Sequence, residues 1–104
     1  MAEIPNEPRA FAVFDGDLDQ DWFDRYAGAQ ALAVDTEAMG LIHGRDRLCL
    51  VQICDENDQV ACIRIARGQA DAPRLKALME SSSIEKVFHF ARFDVAALAA
   101  GLGI

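Results

Sequence analysis

An α/β fold, one mixed sheet flanked by helices, is what this sequence predicts, and three observations carry that expectation. Hydrophobic residues make up 52% of the 104 positions, ample for a packed core and too many for a disordered chain. Successive apolar, β-prone runs fill residues 31–65. After them the pattern alternates helix and strand. The resulting order, β-α-β-β-β-α-β-α, implies an antiparallel meander followed by a parallel strand that is reached through a helix.

Each element has its own local cause. Residues 1–10, with Pro5 and Pro8, read as an extended arm. Phe11–Phe14 is a short strand closed by the Asp15-Gly16 turn. Asp17 or Asp19 caps a helix running to about Tyr26, with Trp22, Phe23 and Tyr26 as its apolar stripe and Gly28 as its stop. Ala31–Glu37 is the next strand, and Gly40, His43-Gly44 and Asp46 mark the loop after it. Leu48–Cys54 and Val60–Ile65 complete the meander around the polar Asp55-Glu56-Asn57-Asp58 turn. Ala72–Ser81 reads as a helix with Asp71 at its N-cap, Pro73 early, and Leu75, Leu78 and Met79 on one side. Glu85–Phe90 is expected as a core strand and Ala91–Ala100 as a helix ended by Gly101.

Charge and cysteine usage narrow the function. The net charge is −7, and residues 1–24 hold seven acids against one base, so the body of the chain is nearly neutral. A protein that grips nucleic acid by bulk positive field is excluded, whereas an anionic substrate is admissible if cations neutralise the carboxylates. Cys49, Cys54 and Cys62 lack CxxC spacing and are expected as buried, reduced thiols, not zinc ligands. No apolar run approaches the ~18–20 residues of a membrane helix, and the first residues lack the pattern of a secretory signal. A cytosolic home is expected.

The sharpest local feature is Val34-Asp35-Thr36-Glu37. Alternation along a strand sends Asp35 and Glu37 to one face, while Leu32, Val34 and Thr36 share the other and can anchor against helices. Paired carboxylates repel unless cations sit between them, and their hard oxygens suit Mg²⁺ or Mn²⁺. The same pair also fits a solvated strand-to-turn junction. Asp94, in the first turn of the last helix, is either a favourable helix-dipole carboxylate or a third ligand carried to the same sheet edge.

Ala33-Val34-Asp35-Thr36-Glu37, Gly40-Leu41 and Arg47-Leu48-Cys49-Leu50-Val51-Gln52-Ile53, followed by Lys86-Val87-Phe88-His89-Phe90-Ala91-Arg92-Phe93-Asp94, resemble the first two motifs of DEDD-type 3′–5′ exonucleases of the ribonuclease D branch. The resemblance covers residues 11–104 and implies a ribonuclease H-like sheet. It further implies that Asp35, Glu37 and Asp94 bind two divalent ions, Mg²⁺ or Mn²⁺, for hydrolysis of a terminal phosphodiester. The implied substrate is an RNA 3′ end, such as that of a tRNA precursor. Leu41 and Met39 would meet the terminal bases, or simply pack in the core. Arg92 and His43 are candidate phosphate contacts, as are Arg45 and Arg47, with surface roles as the alternative. Gln52 is read as structural, and His89 as a satisfied core histidine. The third motif, a Tyr with an Asp four residues on, has no counterpart after Asp94, and Phe90 stands where the family often has Asn. The expectation is therefore a partial domain whose C-terminal part is missing and which self-associates through the face so uncovered. A DNA 3′–5′ exonuclease and a catalytically silent nuclease-fold binding module are the rivals.

Overall fold

The computed structural model describes residues 10–39, 47–89 and 91–104, with the backbone alone for Ala91 and Arg92. Strands β1 (Ala10–Asp15), β2 (Ala31–Ala38), β3 (Leu48–Asp55), β4 (Gln59–Arg64) and β5 (Glu85–Phe88) form one sheet in the order β1-β4-β3-β2-β5. The meander is present, since β3 runs antiparallel to both β2 and β4. β5 returns parallel to β2, as expected, and β1 adds a second parallel pair on β4. Helices α1 (Gln20–Ala27), α2 (Pro73–Glu80) and α3 (Ala91–Leu102) are the helices among the described residues.

All three helices serve one face of the sheet. Leu32 and Val34 of β2, Val51 and Ile53 of β3, and Ala61 and Ile63 of β4 are buried together with Trp22, Tyr26, Leu75, Leu78, Leu98 and Leu102 from the helices. Cross-strand register places these strand residues side by side, Val34 opposite Ile53 and Ile53 opposite Ala61. Each such Leu, Ile or Val side chain contributes about 1.5–3 kcal/mol through its removal from water. Tyr26 locks α1 to the sheet, its hydroxyl donating to the Gln59 carbonyl at 2.9 Å and the Ile53 carbonyl at 3.4 Å. The other face carries Phe11, Val13 and Val87 in the open, and no helix among the described residues lies over it.

Local chemistry accounts for most element ends. Asp19 caps α1 by accepting from the Trp22 N–H at 2.9 Å, and Gly28 closes it. The β3–β4 turn is held by Asp55, whose carboxylate accepts from the Asn57 and Gln59 N–H groups. Three expectations are corrected. Asp71 does not cap α2; the carboxylate of Asp17, far off in sequence, accepts from the N–H groups of Arg74 and Leu75 at 2.8 and 2.9 Å. Gly101 does not end α3, because a hydrogen in place of Cβ lets the helix approach Leu48, where a Cβ would stand 3.0 Å from that residue's Cβ. The cysteines are free, as expected, but only half-buried. No helix among the described residues is long and apolar enough to cross a membrane.

Candidate functional site

The site is built on the far end of β2. Ladder pairing with β5 runs to Val34–Phe88, and beyond Val34 the strand pairs with β3, Asp35 opposite Gln52 and Glu37 opposite Leu50. A register shift at Glu37/Ala38 kinks this end, as bulges do near the ends of sheets. Alternation does what the sequence implies: Asp35 and Glu37 are exposed on the open face, while Thr36 is buried on the helix-covered face. The Asp35 carboxylate also accepts from the N–H of Thr36 at 3.0 Å.

Asp94 arrives from the opposite side. The chain leaves β5 at Phe88 and enters α3 at Ala91, which puts Asp94 in the first helical turn, where the helix dipole favours an anion. Its side chain is only 3% exposed and accepts a hydrogen bond from the Thr36 hydroxyl. The structure thus brings Asp35 and Glu37 together on one face and seats Asp94 against the other. The expected convergence of the three carboxylates is not seen. Its physical reason is the alternation itself: α3 packs on the face that Thr36 occupies, so Asp94 meets Thr36 and not the residues flanking it.

The remaining candidates divide. Met39 is 65% exposed, and its N–H donates to the Arg47 carbonyl at 2.9 Å, tying the β2 end to the start of β3. Leu41, His43 and Arg45 lie outside the described residues, as does the side chain of Arg92. Arg47 is pinned to backbone, donating to the carbonyls of Ile65 at 2.7 Å and Leu48 at 3.2 Å. His89 is not a core histidine; it is exposed, in the same alternating phase as Glu85 and Val87, which β5 turns to the open face. Gln52 faces the same side as Asp35 and accepts a bond from the Cys62 thiol at 3.7 Å. Burial pushes the Cys54 and Cys62 thiols above their ordinary pKa, with Asp58 and Asp55 adding to the effect at Cys54, so both stay protonated and poorly reactive. Thr36 is the residue whose part sequence reasoning missed. The signal was present: a hydroxyl on an otherwise apolar, buried face needs a partner.

A family model described as a 3′–5′ exonuclease matches residues 11–104. The chain belongs to the 3′–5′ exonuclease family. Solved members share its architecture. NrnC from Brucella melitensis bound to pGG matches with a TM-score of 0.84 and 42% identity, covering 91% of this chain and 45% of that one. The same protein with bound Mg²⁺ gives 0.84 and 42%, over 90% and 45%. Escherichia coli RNase D, an exoribonuclease involved in structured RNA processing, gives 0.66 and 26%, over 80% and 22%. The chain therefore spans less than half the length of these relatives. No curated protein matches. The mixed five-stranded sheet with its three helices is the ribonuclease H-like exonuclease fold.

Exonucleases of this family generally use divalent metals. Carboxylate oxygens are the right donors for such ions, but their arrangement here does not fit. Among the described residues no group of three or more His, Cys, Asp or Glu stands where it could hold one. The donors are split two and one across β2.

Proposed function

We propose that residues 1–104 are part of the catalytic domain of a ribonuclease D-like 3′–5′ exoribonuclease that hydrolyses terminal phosphodiesters of RNA, tRNA precursors among its substrates. The observation that carries this reading is the Asp35–Glu37 pair on the solvent-facing end of β2, inside a chain that the exonuclease model matches over residues 11–104. In this reading Asp35, Glu37 and Asp94 are the catalytic carboxylates, and two divalent ions, Mg²⁺ or Mn²⁺, are the cofactor they would share were the three brought together. Such ions supply charge neutralisation and an activated water when bound. Leu41 and Met39 meet the terminal bases, and Arg92 and His43 meet phosphate. Free thiols suit a reducing cytosol. The open sheet face is the surface for self-association.

The test is degradation of matched RNA and DNA strands labelled at the 5′ end, with Mn²⁺ added. Stepwise shortening of RNA, reduced about 10²-fold or more by Asp35→Ala, is expected; preferential loss of DNA makes the chain a DNA exonuclease instead. The seating of Asp94 on Thr36 favours a second reading, a catalytically silent nuclease-fold module that binds without cleaving. Calorimetric titration with Mn²⁺ separates the two. No binding, or binding indifferent to Asp35→Ala, assigns the silent module.

A further inference from the structure

The sheet has two edge strands, and they are guarded differently. β5, Glu85–Phe88, is four residues long and half of them are charged. Short length and charge are what keep a sheet edge from pairing with another chain. β1, Ala10–Asp15, has six residues, neither proline nor lysine among them and no charge before Asp15, and its ladder to β4 runs without a register shift. β4 is its one strand neighbour among the described residues. The Gly16 N–H donates to the Arg64 carbonyl at 2.8 Å, so by alternation the backbone groups of Ala10, Ala12 and Phe14 face β4. Those of Phe11, Val13 and Asp15 face outward, and no hydrogen bond among the described residues engages them. Beside this edge the side chains of Phe11 and Val13 stand exposed on the open face.

We propose that this edge pairs, antiparallel and about a two-fold axis, with β1 of a second copy of the chain, joining two five-stranded sheets into one. The inference rests on the self-association read above and says which strand carries it. Outward N–H and C=O groups in a row take extended backbone, and the side chains select the register. With Ala12 on the axis, Phe11 of each copy lies opposite Val13 of the other, each pair exchanging both of its N–H···O bonds. Both pairs are then aromatic against β-branched, a favourable cross-strand match. Counted one pair further, Arg9 of the sequence falls opposite Asp15 of the second copy, so the charges at the two ends are complementary. With Val13 on the axis instead, Phe11 would face Asp15, and both matches are lost. A six-residue edge buries far less than the ~1,200 Å² at which stable interfaces begin, so the pairing is weak and concentration-dependent.

The experiment is sedimentation equilibrium over a wide concentration range, beside oxidative cross-linking. Wild type is expected to pass reversibly from monomer to dimer. Antiparallel partners that do not share hydrogen bonds stand about 4.5 Å apart at Cα, within disulfide reach. Ala12→Cys is therefore expected to oxidise to a covalent dimer, whereas wild type, with its three half-buried cysteines, is not. Asp15→Cys is the control: the same register holds it about 20 Å from its own copy, so it forms no cross-link. Val13→Pro removes an outward N–H that β4 does not use and is expected to weaken pairing about tenfold or more; Val13→Ala keeps the N–H and weakens it less. If proline unfolds the chain, the cross-link decides. Association that Val13→Pro and Val13→Ala affect alike, without a cross-link at position 12, overturns edge pairing and leaves contact through the open sheet face. A wild type monomeric at every concentration overturns both. Dimers that appear only once residues 1–9 are deleted give the edge to the chain's own arm, which also overturns the proposal.

Discussion

The two faces of this sheet are made by the same strands and do opposite work. On the covered face Leu32, Val51, Ile53, Ala61 and Ile63 are sealed beneath α1, α2 and α3. On the other, Phe11 and Val13 remain 58% and 48% exposed beside the Asp15–Arg64 ion pair, and Asp35 and Glu37 stand in solvent. The difference teaches that stability and chemistry here are separated by one residue of register. Thr36 belongs to the first face and its neighbours to the second, so a single strand anchors the core and presents the acids.

The largest break in that comparison is a truncation on the covered face. Ile53→Ala should cost about 2–5 kcal/mol in a urea melt, whereas Val13→Ala on the open face should stay within about 0.5 kcal/mol. Alkaline pH attacks the covered face next. Burial, with the negative charge of Asp55 beside it, raises the pKa of Tyr26 above its ordinary value of 10.0. A phenol held neutral in the fold contributes fully below its unfolded pKa and loses that contribution as pH rises toward the folded value. Stability should therefore fall by about 1.4 kcal/mol per pH unit above roughly pH 10, measured by denaturant titration, and Tyr26→Phe should lack this slope. Because this is the only tyrosine, its absorbance change should appear with unfolding.

Asp17→Ala tests how α2 is pinned at the edge of the covered layer. It removes the acceptor of the Arg74 and Leu75 N–H groups and should cost about 1–2 kcal/mol in the same melt, while Asp71→Ala should cost almost nothing. The smallest effect concerns the open face. Wild type is expected to self-associate weakly at high concentration by light scattering. Phe11→Lys with Val13→Lys should leave a monomer of unchanged stability, since charges on an exposed apolar face oppose sheet-to-sheet contact.

Much of this was legible before any coordinates. The period-2 run through Leu32, Val34 and Thr36 announces which side of β2 is buried, and Asp19 and Gly28 announce the ends of α1, because alternation and capping are local. Where the expectation failed, a partner distant in sequence intervened. His89 is exposed in phase with Glu85 and Val87, and which side of β5 the helices cover is set by the sheet it joins, not by its own composition. α3 runs through Gly101 because Leu48 needs the space, although glycine by itself reads as a stop. Asp17 displaced Asp71 at α2 for the same kind of reason.

The sequence by itself determined the α/β class, the sidedness of β2 and the choice of Asp35, Glu37 and Asp94 as the acids worth watching, since residue type and spacing are written in the chain. Only the tertiary structure decided that Asp94 lies with Thr36 and apart from the other two. Which face of β2 receives α3 depends on where the buried apolar surfaces of the sheet and all three helices can be closed together, and that is a property of the whole packed layer.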